Sequence, residues 1–210
     1  MADAVAPHVG ASVLEIGAGI GNITTWLLPR DRYVASDINP HYLDYLRNLS
    51  IGKPYFEVAQ INLEEAPDFT PWRECFDTVV CLNVLEHVGD PRAALRNISA
   101  ALVPGGRAVI YVPQGQWLYS SLDEVLGHRC RYSRDGLRAE LEEAGFVVED
   151  LRDFNRFGVP GWLLNGKLLK RRSFSRFQLK VFDWLTPLFR RLDAIVPTRG
   201  LGLIAVARKR

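Results

Sequence analysis

Apolar residues in this chain fall in short compact runs separated by stretches of helical period. Ser12 to Ile16 (SVLEI), Tyr33 to Asp37 (YVASD), Tyr55 to Gln60 (YFEVAQ) and Phe76 to Asn83 (FDTVVCLN) read as strands one to four. The fourth is apolar on both faces, as suits a central parallel strand covered on two sides. Residues 107–113 (RAVIYVP) give a fifth strand stopped by Pro113. Residues 146–154 and 201–208 give the last two, an antiparallel pair. Four helices fit between them. Residues 22–29 (NITTWLLP) form one that stops at Pro29. Asn39 and Pro40 open another as N-cap and first helical residue. Residues 90–106 form an amphipathic helix from Asp90-Pro91 to Pro104-Gly105-Gly106, and residues 133–146 form one with Ser133 as cap and Gly145 past its end. Strands alternating with helices predict a parallel α/β sheet.

Composition adds limits. The chain has 210 residues, 48% hydrophobic and 24% charged, which fits one soluble domain with a sizeable core and argues against disorder or a coiled coil. No apolar run reaches the ~20 residues that span a bilayer, and the first ten residues do not read as a signal sequence. Cys75, Cys81 and Cys130 show no metal-ligand spacing, and an odd count points to reduced thiols; a cytoplasmic location is expected. Charge is divided unevenly. Residues 1–150 carry 12 Lys and Arg against 21 Asp and Glu, a net −9, whereas residues 151–210 carry 14 against 3, a net +11.

Candidate chemistry begins where the first strand ends, at Gly17-Ala18-Gly19-Ile20-Gly21. Glycines at alternate positions let the backbone turn sharply and lie against a ligand, with the following helix directing free N–H groups at it. The spacing is G-x-G-x-G, whereas a dinucleotide site usually shows G-x-G-x-x-G. The second strand ends in Asp37, about 20 residues past the first glycine, where a carboxylate can accept both ribose hydroxyls.

With those residues in place, VLEIGAGIGNIT followed by VASDI resembles the S-adenosylmethionine (SAM) binding half of class I methyltransferases. FDTVVCLNVLEHVGDPRAALRNISAALVPGGRAVIYVP resembles the small-molecule branch that includes ubiquinone-biosynthesis methyltransferases. The resemblance covers about residues 12–152. It implies a Rossmann-like, mostly parallel seven-stranded sheet with helices on both faces and the last strand antiparallel. The whole chain would be one methyltransferase domain with a basic, aromatic helical insertion at about 156–198. It implies SAM as cofactor, with Gly17, Ala18, Gly19 and Gly21 along its methionine part and Glu15 beneath the loop. Asp37 would hold the ribose, and Ile38 would pack on the adenine. Asn62-Leu63 stands where the family commonly has an Asp and an apolar residue, so the Asn62 carbonyl would take the adenine contact. Asn83 would face the methyl-transfer centre, with Val84 and Leu85 closing one wall. Glu86-His87 repeats the family's EH pair, with His87 at the substrate mouth as base or polar anchor. Some relatives hold a metal near this pair with a carboxylate three residues earlier; Asn83 occupies that position here, and no metal is expected.

The segment after strand five, GQWLYSSLDEVLGHRCRYSR, supplies the candidate acceptor site. Trp117, Tyr119 and Tyr132 offer aromatic walls, Arg129 and Arg131 could bind an anion, and His128 is a candidate general base. Its GH-x-x-RY pattern is similar to that of many bacterial homologues of the family. About eleven residues precede Ser12, too few for the helices that commonly cover the SAM pocket, so the start is incomplete or the insertion does the covering.

In the insertion, Phe174, Phe177, Val181, Trp184, Leu185, Leu188 and Leu192 recur at helical spacing among Lys170, Arg171, Arg172, Arg176, Lys180, Arg190 and Arg191. Three roles compete: a lid over the acceptor pocket, a membrane-surface helix placing the protein at the inner face of the membrane, and a nucleic-acid surface, for which no recognition motif is found. The resulting expectation is methyl transfer from SAM to a small-molecule or lipid-linked acceptor, at oxygen. A non-catalytic SAM- or nucleotide-binding module is the alternative, and a nicotinamide oxidoreductase is disfavoured by the loop spacing. Oligomeric state is not legible.

Overall fold

Among the described residues, seven strands share one sheet: β1 (Ser12–Ile16), β2 (Arg32–Asp37), β3 (Phe56–Gln60), β4 (Phe76–Leu82), β5 (Leu102–Pro113), β6 (Phe146–Phe154) and β7 (Gly202–Lys209). Their order is β3-β2-β1-β4-β5-β7-β6. The computed structural model describes residues 1–210 apart from Phe174, Ala194, Ile195 and Pro197 and the side chains of Arg176, Phe177, Leu179, Asp183, Arg190 and Leu192. Of the residues singled out in the insertion, Phe174 and the side chains of Phe177, Leu192, Arg176 and Arg190 therefore lie outside the described residues. β7 runs antiparallel to both β5 and β6, and the pairings among β1 to β5 are parallel. This is the mostly parallel Rossmann-like sheet expected.

The helices are α1 (Ala2–Val5), α2 (Thr24–Leu27), α3 (Pro40–Ser50), α4 (Pro91–Ala101), α5 (Ser121–Leu126), α6 (Arg134–Glu143), α7 (Gly158–Trp162), which continues as a π-helical turn at Leu163–Leu168, and α8 (Arg176–Asp193). Alternate strand residues sort into two cores. Leu14, Val34, Val79 and Ile110 pack with Leu95 and Ile98 of α4 and Leu137 and Leu141 of α6. Val13, Tyr33, Ala35, Val80 and Val109 pack with Val5, Leu27, Leu43 and Leu46 of α1 to α3. Both faces of the sheet are thus covered, which explains why β4 reads as apolar on both faces. Asn39 caps α3 by accepting from the His41 amide, Asp90 caps α4 from Ala93 and Ser133 caps α6 from Gly136, each at 3.0 Å. Such caps contribute about 1 kcal/mol each.

Two elements differ from the sequence expectation. The helix predicted over 22–29 is only the single turn of α2. Gly21 sits at φ +84°, outside helical space, the β-branched Ile23, Thr24 and Thr25 are weak helix formers, and the Thr24 hydroxyl is drawn to Glu15. The helix predicted to run to Gly106 ends at Ala101. Leu102 turns extended and pairs with Phe76, so residues 102–106 join β5 across a register shift.

The chain winds outward from β1 through β2 to β3, then returns to lay β4 on the other side of β1. The carboxyl ends of β1 and β4 therefore flank the point where strand order reverses, where α/β sheets leave a crevice for ligands.

Candidate active site

On the β1 side of the crevice, the backbone after Ile16 turns through Gly17 at φ +70° and Gly19 at φ +58°. These angles suit glycine and strain other residues. A Cβ on Gly17 would lie 2.3 Å from Val84 Cγ2, so the loop needs that glycine to pack under the β4 turn. A Cβ on Gly19 would meet nothing within 4 Å, because this part of the loop faces open space. Ala18 donates its amide to the Ser36 carbonyl at 2.9 Å, and Gly21 donates to the Ala18 carbonyl at 3.0 Å, which holds the loop in shape. Asp37 is buried and points at the glycines: one carboxylate oxygen takes the Gly19 amide at 2.9 Å, the other the Asn39 amide at 2.8 Å.

Glu15 lies beneath the loop. One of its oxygens accepts from the hydroxyls of Thr24 at 2.5 Å and Tyr33 at 2.7 Å. Burial pushes its pKa up to about 7 against the opposing pull of those two hydrogen bonds. Ile38 is 58% exposed beside Asp37, free to cover a flat ligand. Asn62 accepts the Glu64 amide at 3.1 Å, which gives its carbonyl a local turn to hold, and Leu63 is buried in the core rather than at the surface of the crevice.

Across the switch point, Asn83 follows β4 at φ +56°, a left-handed conformation that Asn tolerates better than most residues, and donates its amide to the Tyr111 carbonyl at 3.0 Å. It lines a cavity of about 330 Å³ together with His87, Tyr111, His128, Arg131 and Trp162. The polar side of this cavity is built around Asp123. Its Oδ1 lies 2.8 Å from His128 Nδ1 and 2.8 Å from Arg131 Nε, while Oδ2 takes the Ser120 amide at 2.9 Å. Burial would raise the Asp123 pKa; the hydrogen bonds from His128 and Arg131 outweigh it and hold the carboxyl below its ordinary value. Arg131 also donates to the Gln114 carbonyl and lies over the Trp162 ring at 4.5 Å.

His128 Nε2 faces Glu86, whose nearer oxygen is 3.8 Å away. Glu86 is fully buried, and neither of its side-chain oxygens has a hydrogen-bond partner among the described residues. Burial pushes its pKa up to about 7, with the His128 and Arg131 charges pulling the other way. His87 Nδ1 meets the Gly127 carbonyl at 3.2 Å, and its ring packs edge-on to His128 at 5.0 Å; burial lowers its pKa.

Of the residues expected to bind the acceptor, Arg131 reaches the cavity and the others do not line it. Arg129 is exposed and donates to the His87 carbonyl at 2.9 Å, bracing the EH turn from outside. Tyr132 is buried with its hydroxyl on the Leu85 carbonyl, and burial raises its pKa well above the ordinary phenol value. Tyr119 donates to the His128 carbonyl at 2.9 Å and so braces the backbone of that residue. Trp117 lines a second, apolar cavity of about 560 Å³ with Phe157, Val159, Pro160 and Val196. Asp123, Tyr111, Trp162 and Leu201 were not singled out from sequence. The Ser120-x-x-Asp123 spacing ahead of an apolar turn was an available signal for Asp123.

A fold with this switch-point crevice, glycine loop and ribose-height carboxylate is that of a class I methyltransferase. The chain belongs to the methyltransferase domain family, whose profile matches residues 3–151. The family's cofactor is SAM, and the open face over Gly19 with Asp37 beside it fits that group. Among curated relatives, the ubiquinone biosynthesis O-methyltransferase of Paracidovorax citrulli is 30% identical over 107 residues, 50% of this chain and 44% of that protein. The chain spans less than half the length of the curated relatives it matches. Among solved structures, an S-adenosylmethionine dependent methyltransferase from Mesorhizobium loti superposes with a TM-score of 0.69 at 16% identity, over 99% of this chain and 95% of that one. The CalH trans-methyltransferase in complex with SAH superposes with a TM-score of 0.63 at 18% identity, over 96% and 52%.

Proposed function

We propose that this chain moves the methyl group of SAM onto an oxygen of a small-molecule or lipid-linked acceptor held in the Asn83–His128 cavity. The observation that carries this reading is the geometry of His128, a residue that lines the cavity: its Nδ1 is tied to the Asp123 carboxylate at 2.8 Å, which leaves Nε2 as the ring nitrogen able to take a proton.

When bound, the cofactor supplies an electrophilic methyl on a sulfonium. Asp37 and the Gly17–Gly21 loop would hold its ribose and methionine ends, and Asn83 would stand at the side of the crevice nearest the acceptor. The cavity would present the acceptor oxygen to that methyl group. His128 takes the hydroxyl proton on Nε2, and Asp123 stabilises the imidazolium. A base of this kind contributes ~10²–10⁴ in rate.

A radiolabelled SAM screen against phenolic, enolic and carboxylate acceptors, read as methylated product, tests the reading. SAM binding without transfer to any of them would favour the alternative of a non-catalytic SAM-binding module. Tighter binding of NAD than of SAM in titration calorimetry would retire both.

A second reading has one specific observation behind it. Ligand atoms of Glu86, His87 and His128 lie within 4.8 Å of one another, with the two histidine Nδ1 atoms engaged by Gly127 and Asp123. These three could hold a divalent cation, which would polarise the acceptor oxygen. Under the first reading, turnover survives dialysis against EDTA; loss of turnover restored by a divalent cation would favour the second.

A further inference from the structure

The connection between β6 and β7 presents a surface that is both apolar and basic. One side of α8 is fixed to the body. Phe189 stacks on Phe157 with ring centroids 4.7 Å apart, Phe182 lies 5.5 Å from Phe189, and Gln178 donates to Asn165 at 3.1 Å. The Asp193 carboxylate takes the amides of Asn155 and Arg156 at 3.1 and 2.6 Å. At ~100° per residue, Lys180, Trp184, Leu188 and Arg191 fall on the opposite side of the helix. All four are exposed, Trp184 at 81%. The π-helical turn that precedes α8 adds Leu164, Leu168 and Leu169, also exposed, interleaved with Lys167 and Lys170. From residue 164 to 191 the sequence holds eight Lys and Arg against one Asp.

A tryptophan and several leucines held in water among cations need a partner that is apolar and anionic together. Single-stranded nucleic acid offers negative charge with flat bases, which stack on aromatic rings. The apolar side chains exposed here are mostly aliphatic, with one tryptophan, the composition that enters an acyl boundary while lysines reach phosphate. Among the described residues no helix is long and apolar enough to cross a membrane, so the surface would lie on a bilayer rather than pass through it. Its other end is Trp162, two residues before Leu164, which forms part of the cavity wall.

We propose that this face docks on an anionic lipid bilayer, with Trp184, Leu188 and Leu168 in the acyl boundary and Lys167, Lys180 and Arg191 against lipid phosphates. The inference is independent of turnover and can be tested without an acceptor. The full chain is floated with vesicles of phosphatidylcholine containing about one-third phosphatidylglycerol, or of phosphatidylcholine alone, at low and high salt. The chain is expected to float with the anionic vesicles at low salt and to leave them at high salt. At about 1 kcal/mol per basic residue, the pair Lys167→Glu and Lys180→Glu should lower the partition constant at least tenfold. The pair Trp184→Ala and Leu188→Ala should lower it similarly. Both double variants should bind S-adenosylhomocysteine as the parent does, which separates lost docking from lost folding. Failure of the parent to float at low salt overturns the proposal. So does undiminished flotation of the Trp184→Ala, Leu188→Ala variant, or binding of a labelled single-stranded oligonucleotide that the vesicles do not displace.

Discussion

Asp123 Oδ1 lies 2.8 Å from His128 Nδ1, and the same oxygen also carries Arg131. The carboxylate therefore sets the tautomer of the imidazole while neutralising a buried guanidinium. Replacing His128 by Gln is expected to lower kcat by ~10²–10³ with the SAM dissociation constant unchanged, as measured by steady-state kinetics and titration calorimetry. Asp123→Asn should lower kcat and also unfold at lower temperature, because it leaves Arg131 buried without its anion, a loss of about 3–5 kcal/mol. Full activity in His128→Gln would remove this residue from the proton path.

Asp37 holds the amides of Gly19 and Asn39 as well as facing the cofactor crevice. Asp37→Ala is expected to weaken SAM binding by about 1–3 kcal/mol through lost charge-assisted hydrogen bonds. An unaltered dissociation constant in titration calorimetry would place the ribose elsewhere.

Gly17 and Gly19 share a left-handed backbone and differ in what surrounds them. Gly19→Ala is expected to cost about 1–2 kcal/mol in strain and to reduce SAM affinity, since its methyl projects into the open crevice. Gly17→Ala adds a collision with Val84 to the same strain and should lower the melting temperature further. Paired thermal melts and calorimetry check this ordering, and equal melting temperatures would contradict it.

Glu15 and Glu86 both carry carboxyl groups raised by burial from the ordinary 4.5 to about 7. The folded chain holds these protons more tightly than the unfolded one, so their contribution to stability is greatest below about pH 4.5 and falls as pH rises through about 7. Glu86→Gln should remove its share and flatten the profile across that window. Chemical denaturation at several pH values measures it; a stability that rises between about pH 5 and 7.5 in the parent and not in the variant would contradict the assignment.

The cofactor half was legible because it is local. A strand, a glycine turn and the next strand end bring Gly17, Gly19 and Asp37 together through neighbouring register, and Ile16 to Cys81 pairing brings Asn83 alongside. The acceptor half was legible only as a segment. His128 and Arg131 were readable as chemistry, but Asp123, which unites them, is set apart from other acids only by the packing that buries it. Arg129 differs from Arg131 by two positions and faces solvent, a distinction that residue type does not carry. Trp162 and Leu201 reach the cavity from the two ends of the β6–β7 connection, at sequence distances that no spacing rule spans. The early end of α4 was missed for a related reason, since Leu102 is extended through its pairing with Phe76 in another strand.

Under the proposed function, the wall that would receive the acceptor draws on the turn after β4, the end of β5, the stretch after β5 and the excursion between β6 and β7, while the donor would be held by turns following β1 and β2. The two duties would thus rest on separate stretches of polypeptide that meet at the point where strand order reverses. Grafting residues 114–132 together with 156–201 from a homologue would, on that reading, be a route to exchanging what becomes methylated while the methyl source stays the same.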